Sequence, residues 1–168
     1  MTTTPAADEA DVRIRQATQA DLLAVLRIER ASFDQPWPFS AFDRYVGKPG
    51  FLVAVIDPPR TEDADTESVV GYVVADFVPN HGRPFGHVKD IAVHPDHRGE
   101  SIGARLLERG LAILETRGAR SVKLEVRASN EPALSLYRDF GFEYLRTVPR
   151  YYDDGEDALI LVIDLDER

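Results

Sequence analysis

Three short stretches carry residues whose types and spacing could bind an anion or move a proton. The first is HRGESIGA, His97–Ala104, between the apolar run VKDIAVHPD and the amphipathic run ARLLERGLAILETRG. A turn that feeds a strand into a helix exposes unpaired backbone N–H groups at the positive end of the helix dipole. Such amides can cradle a pyrophosphate where the side chains are small enough for close approach. Gly99, Ser101, Gly103 and Ala104 meet that need, and Arg98 adds positive charge beside them. No Gly-Lys-Ser/Thr closes the loop and it is not G-x-G-x-x-G, so neither phosphate fingerprint is present. The alternative is a strand–helix turn that needs glycine only for its backbone angles. The second stretch is VKLEV, where Glu125 is an acid among apolar strand residues and faces either a cleft or a partner such as Lys123 or Arg127. The third is EPALSLYRDFGF, where Tyr137 sits mid-helix and can pack its ring while its O–H reaches a site. A carboxylate and a phenol suit a general base and a general acid. They are equally readable as a structural ion pair and a packing tyrosine.

The elements that must position these groups are readable from periodicity and punctuation. Val12–Ala17 alternates as a strand, and Thr18 is a plausible N-cap for a helix from about Gln19 to Ser32, with Leu22, Leu23, Val25, Leu26 and Ile28 as its apolar face. Pro36 and Pro38 force FDQPWPFS into a loop, and Ser40–Val46 reads as a short helix. Strands are expected at Phe51–Ile56, Val69–Pro79 and Phe85–His94, with Asp57–Ser68 as a polar hairpin loop. A long helix from about Ser101 to Arg117 stops at Gly118, and Val122–Val126 is a strand. Pro132 lies in the first turn of a helix that ends at Gly141; Asn130 opens it. FEYLRTV and ALILVIDL complete the strands. The order β-α-α-β-β-β-α-β-α-β-β implies an α/β (α+β) chain with a mixed sheet and helices on its faces.

Composition sets outer bounds. The chain of 168 residues is long enough for one domain with a proper core, and its 43% hydrophobic content is that of an ordinary globular protein. Residues 1–11 read as a polar tail ahead of a single domain over 12–168, without the basic start and apolar core of a signal peptide. No apolar run approaches a membrane span. Cysteine is absent, and the four histidines lack helical H-x-x-x-H spacing, so no metal site is expected. The net charge of −9 argues against nucleic acid as a partner. Abundant acid with only Lys48, Lys89 and Lys123 as lysines suggests a high-salt, halophilic cytoplasm. The alternative is a merely acidic protein from a GC-rich genome. No heptad or unusual apolar face calls for an oligomer, so a cytoplasmic monomer is the default.

The chain resembles the GNAT superfamily of N-acetyltransferases. That family's acetyl-CoA signature, Gln/Arg-x-x-Gly-x-Gly/Ala, is matched by Arg98-Gly99-Glu100-Ser101-Ile102-Gly103-Ala104, with Ser101 where the family usually has glycine. Serine is small and a good N-cap, so pyrophosphate binding is expected to survive the change, and its effect falls on affinity. IERASFDQPW, LEVRASNEPALSLYRDFGF and RYYDDGEDALILVIDL narrow the likeness to protein N-terminal acetyltransferases, in particular the ribosomal-protein-alanine type and its archaeal relatives. The resemblance runs from Val12 to Leu165 and implies a mostly antiparallel sheet of about seven strands flanked by about four helices.

By that resemblance, acetyl-CoA is the co-substrate and a protein or peptide N-terminus the acceptor, a ribosomal protein among the candidates. Glu125 would be the base, in direct reach or through a water, and Tyr137 the acid. The backbone of Ile91, Ala92 and Val93 would pair with pantetheine, with Asn130 either beside the pantetheine arm or only an N-cap. Phe33, Pro36 and Trp37 would shape a pocket for the first acceptor residue, and Tyr151 and Tyr152 would hydrogen-bond its backbone. Gln35 stands where some archaeal relatives carry a glutamate, and Glu29, a helical turn earlier, reads as a surface or capping residue. Two other readings share the cofactor loop. One is an acetyltransferase for a small amine or for lysine; the other is a non-catalytic acyl-CoA-binding module, against which retention of both Glu125 and Tyr137 argues.

Overall fold

The computed structural model describes residues 12–58 and 67–167. The expected N-terminal tail and most of the polar hairpin loop lie outside the described residues. The strands are β1 (Val12–Gln16), β2 (Phe51–Ile56), β3 (Ser68–Val78), β4 (Phe85–Val93), β5 (Ser121–Arg127), β6 (Glu143–Val148) and β7 (Ala158–Asp164). Four α-helices accompany them: α1 (Leu22–Ser32), α2 (Phe39–Asp43), α3 (Ile102–Thr116) and α4 (Glu131–Phe140). The strands form one sheet in the order β1-β2-β3-β4-β5-β7-β6. Within it β4 and β5 are parallel, and the β1–β2, β2–β3, β5–β7 and β6–β7 pairs are antiparallel. This is the expected fold class, mixed and mostly antiparallel.

The chain forms two compact units. Unit 1 holds the described residues up to Val74 together with Asp90–Gly110; unit 2 holds Ala75–Lys89 and the residues from Leu111 onward. In unit 1, α1 buries Leu22, Val25, Leu26 and Ile28 against Phe42, Phe51, Val53, Val55, Tyr72 and Val74. Each is a substantial apolar residue, worth roughly 1.5–3 kcal/mol when fully buried. The start of α1 differs from the single helix expected. A 3-10 turn over Gln19–Asp21 precedes it, and Asp21 Oδ2 accepts the Thr18 N–H at 2.7 Å. Arg15 donates to the same carboxylate at 2.8 Å, which holds the Asp21 carboxyl below the usual range although burial opposes that. The second helix is shorter than expected, because the chain turns over 44–47 into Gly47 at φ +91°.

In unit 2, β5 alternates, burying Val122, Leu124 and Val126 while Ser121, Lys123, Glu125 and Arg127 keep partial exposure. Its register against β7 runs unbroken from Ser121↔Asp164 to Arg127↔Ala158. The Asn130 side chain caps α4 by accepting the Ala133 N–H at 3.3 Å, and Gly141 ends the helix at φ +102°.

Gly86 on β4 lies under the C-terminal part of α3. A Cβ there would stand 2.5 Å from Leu114 Cδ1 and 3.0 Å from Val122 Cγ2. Both neighbours are fully buried, so neither can swing away. Gly86→Ala is therefore expected to destabilise the chain by about 1–3 kcal/mol, the usual cost of overpacking. Urea unfolding checks this; an unchanged midpoint would mean that the contact is looser than described.

Candidate active site

The donor-side candidates fall in unit 1. The chain leaves β4 at Val93, makes a 3-10 turn over Pro95–His97, and reaches α3 through 98–101. Gly99 takes φ +84° and Ser101 φ +64°. The first helical bond on this side is Arg105 N–H to Ser101 O at 3.1 Å. The amides ahead of Arg105 therefore lie outside the helical ladder. With Gly103 and Ala104 partly exposed, these amides have the geometry that an anion-binding cradle requires. Arg98 does not project freely beside them: its guanidinium donates to Val93 O at 3.2 Å and to Ser32 Oγ at 3.1 Å, tying the loop to β4 and to the end of α1. Glu100 is turned to His97, with 3.2 Å between Oε2 and Nδ1.

Ser101 had been expected to serve as a good helix N-cap. Its left-handed backbone instead explains why glycine suits that place: a Cβ costs energy at positive φ.

Glu29 corrects another expectation. It is not on the surface but 2% exposed. Its Oε2 accepts the Trp37 N–H at 2.7 Å, and the Tyr72 hydroxyl donates to Oε1. A carboxylate with both oxygens satisfied can be buried. The same hydroxyl is 3.5 Å from Asp90 Oδ2. Burial first, and then the neighbouring Glu29 carboxylate, push the Asp90 carboxyl well above the usual carboxylate range. Burial also raises the Tyr72 phenol, so it stays a donor. The pattern held a signal for Glu29, since it continues the buried stripe of Leu22, Val25 and Leu26 at helical spacing. Trp37 packs inward, its ring 5.2 Å from Phe42 and 6.1 Å from Tyr45. Phe33 is partly buried on the same cluster, and Pro36 is exposed.

The proton-handling candidates fall in unit 2. Glu125 Oε2 is 2.5 Å from His87 Nε2, and its Oε1 is 3.7 Å from Lys123 Nζ. Both members of the pair are largely buried, with side chains 14% and 15% exposed. Burial by itself would raise the Glu125 carboxyl, but the His87 hydrogen bond and charge, then Lys123 and Lys89, outweigh it and hold the group below its ordinary value. His87 was not anticipated. Arg127, offered as a Glu125 partner, instead donates to Asp154 at 2.8 Å and Glu156 at 3.0 Å, and lies 4.0 Å over the Tyr152 ring. Those bonds fix the 149–157 loop, whose Tyr151 and Tyr152 rings meet edge to face at 5.0 Å. Burial, opposed by Arg127, pushes the Tyr152 phenol up to about 12; burial and then the Glu125 charge raise Tyr151. Tyr137 is 5% exposed and meets Phe142 edge to face at 5.7 Å. Among the described residues, no group of three or more His, Asp or Glu is placed to hold a metal ion, and no helix is long and apolar enough to cross a membrane.

Comparison with known proteins accords with this geometry. The Acetyltransferase (GNAT) family matches residues 22–142. An N-alpha-acetyltransferase of Sulfolobus acidocaldarius is 34% identical over 164 residues, covering 91% of this chain and 92% of its own. A putative ribosomal-protein-alanine N-acetyltransferase of Bacillus subtilis is 30% identical over 158 residues, covering 92% and 96%. The crystal structure of Ard1 from Thermoplasma volcanium superposes with a TM-score of 0.80 at 25% identity, covering 92% of this chain and 98% of that one. The chain belongs to the GNAT family and is an acetyl-CoA-dependent N-acetyltransferase.

The backbone at Ser101 generates a stability test. Serine-to-glycine changes usually destabilise, through the entropy of the unfolded chain, by about 0.4–1 kcal/mol. Here relief of a left-handed serine, of order 1–2 kcal/mol, acts the other way. Ser101→Gly should leave the chain as stable or up to about 1 kcal/mol more stable, with acetyl-CoA affinity equal or higher. Urea unfolding and calorimetric titration check both; a loss of stability would place Ser101 in another conformation.

Proposed function

We infer that this enzyme acetylates the free α-amino group of a protein or peptide N-terminus. The observation that carries the reading is likeness over 91–92% of this chain to an N-alpha-acetyltransferase and to a putative ribosomal-protein-alanine enzyme. A span of that length cannot omit Tyr151 and Tyr152, whose loop a small-amine enzyme does not account for. On this reading residues 12–168 act as one acetyltransferase domain. It works as a cytoplasmic monomer without nucleic acid, in a cell whose high salt the acidic composition reflects.

Transfer needs a neutral amine, a polarised thioester carbonyl and a proton for the departing thiolate. The amides at 101–104 would hold the pyrophosphate of CoA. Backbone groups of Ile91, Ala92 and Val93 would pair with pantetheine, and one amide would polarise the carbonyl. Asn130 already spends its side-chain oxygen on the helix cap, so its contribution to the pantetheine arm would come from the remaining amide protons. Glu125, bonded to His87, would take the amine proton directly or through a water. Tyr137 would protonate the thiolate. The loops carrying Phe33, Pro36, Trp37 and Tyr151–Tyr152 would receive the acceptor.

CoA release with a peptide panel tests the acceptor class. Ser-, Ala-, Thr- and Met-start peptides, each with free and blocked termini and an internal lysine, should turn over only when the terminus is free. Turnover on blocked peptides would assign lysine instead.

The His87–Glu125 pair gives a pH test with a definite sign. Glu125, held below its ordinary value, is ionised throughout the neutral range, so a rate that rises between pH 6 and 9 is not reporting its titration. Glu125→Gln should lower kcat by about 100-fold, within the usual range for proton-transfer catalysis. A rise of rate between pH 6 and 9 should persist in this variant, because Glu125 is already ionised there; a rise that disappears would assign it to Glu125.

A further inference from the structure

The chain carries 29 acidic against 20 basic residues, yet one groove reverses that balance. It lies within unit 2, encloses about 560 Å3, and is lined by Arg83, Phe85, Arg120, Lys123 and Val162 among others, with no Asp or Glu in its lining. Its volume is that of an ordinary ligand site. Arg83 makes no side-chain ion pair among the described residues. Arg120 has only a loose, exposed approach to Asp166 at 3.9 Å. Lys123 Nζ lies 5.8 Å from the centre of the Phe85 ring, and both residues line the groove.

The groove is continuous with the proton-handling pair. Lys123 and Glu125 are two apart on β5 and so share a face, and Phe85 and His87 stand in the same relation on β4. Lys123 is the register partner of both His87 and Val162. The Lys123–Glu125 approach of 3.7 Å joins groove and pair directly. A chain whose terminal amine lay at Glu125 could therefore extend along this face and meet Lys123, then Arg83 and Arg120, within a few residues at about 3.3 Å per residue.

We propose that this groove binds the segment that follows the acceptor's N-terminal residue and selects segments rich in Asp and Glu. The proposal rests on the N-terminal acetyltransferase reading and deepens it. Overall charge would attract basic acceptors; the local field at the groove attracts acidic ones. Local charge decides, because exposed charges are screened beyond roughly 10 Å at ordinary salt.

The test uses Ser-start peptides of one length with acidic, neutral or basic residues at positions three to six. It compares wild type with Arg83→Gln/Arg120→Gln, which leaves Lys123 and Glu125 intact, at the lowest salt where circular dichroism shows both chains folded. Wild type should favour acidic over neutral peptides about five-fold in kcat/KM, the order given by two exposed charge pairs. The gain should lie in KM, shrink as salt rises, and vanish in the double variant, while the neutral peptide is turned over unchanged. No acidic preference, or one that survives the double substitution, overturns the proposal. If no free N-terminus is turned over, the acceptor reading fails separately. Calorimetric binding of the N-acetylated acidic peptide then tests the groove alone: binding weakened by the double substitution supports it, and absent or unchanged binding overturns it.

Discussion

One constraint organises unit 2 of this enzyme: β5 can bury only one of its faces. Val122, Leu124 and Val126 fill the core, so Ser121, Lys123, Glu125 and Arg127 must all point the other way. Successive members of that row stand about 6.6 Å apart. Glu125 meets His87, Arg127 meets Asp154 and Glu156, and Lys123 meets Phe85. A slip of one residue would send every one of these side chains into the core. The unbroken β5–β7 register therefore does more than stabilise a sheet. It aligns Glu125, the loop that carries the tyrosines and Lys123 in a single operation.

In unit 1 the corresponding constraint is electrostatic. A carboxylate removed from water must find partners for both oxygens. Glu29 finds them in the Trp37 amide and the Tyr72 hydroxyl, and Tyr72 in turn approaches Asp90. These contacts connect the loop after α1, the centre of β3 and the start of the Asp90–Val93 segment. The loop is thus pinned through its backbone, and the Trp37 ring locks against Phe42 and Tyr45 rather than standing out toward solvent. Its shape depends on a buried acid with both oxygens satisfied.

Much of this was legible in the sequence where the signal is local. Periodicity and turn residues located the seven strands and four α-helices of the described residues, though not the 3-10 turns between them. Pro132 and Gly141 bounded α4, and HRGESIG announced a strand–helix turn. The unread features arise from pairings far apart in the chain. His87 and Glu125 are 38 positions apart, and Glu29 and Tyr72 are 43 apart. No window of a sequence contains both partners, so an acid on a helical stripe looks like a surface residue until its hydroxyl and amide partners are in view. Ser101 is a different case. Its residue type suggested a cap, whereas its backbone is fixed by the turn from Gly99 into α3, and φ cannot be read from composition.

The depressed Glu125 carboxyl bears on which amine the site can serve. A carboxylate stabilised by an imidazole and two lysines is a weak base, reluctant to take a proton from a strongly basic ammonium. An α-amino group has an ordinary pKa near 7.7–8.0, so roughly a third of it is already neutral at pH 7.5. A lysine amine, near 10.4, is neutral at roughly one part in a thousand at the same pH. For lysine the site would have to supply most of about 4 kcal/mol to strip the proton; for an N-terminus it need only accept a proton as the C–N bond forms and the amine becomes acidic. A weak carboxylate with an imidazole bonded to it meets the second requirement and not the first. If Glu125 is the base, as proposed above, its surroundings suit an α-amino acceptor better than a lysine amine.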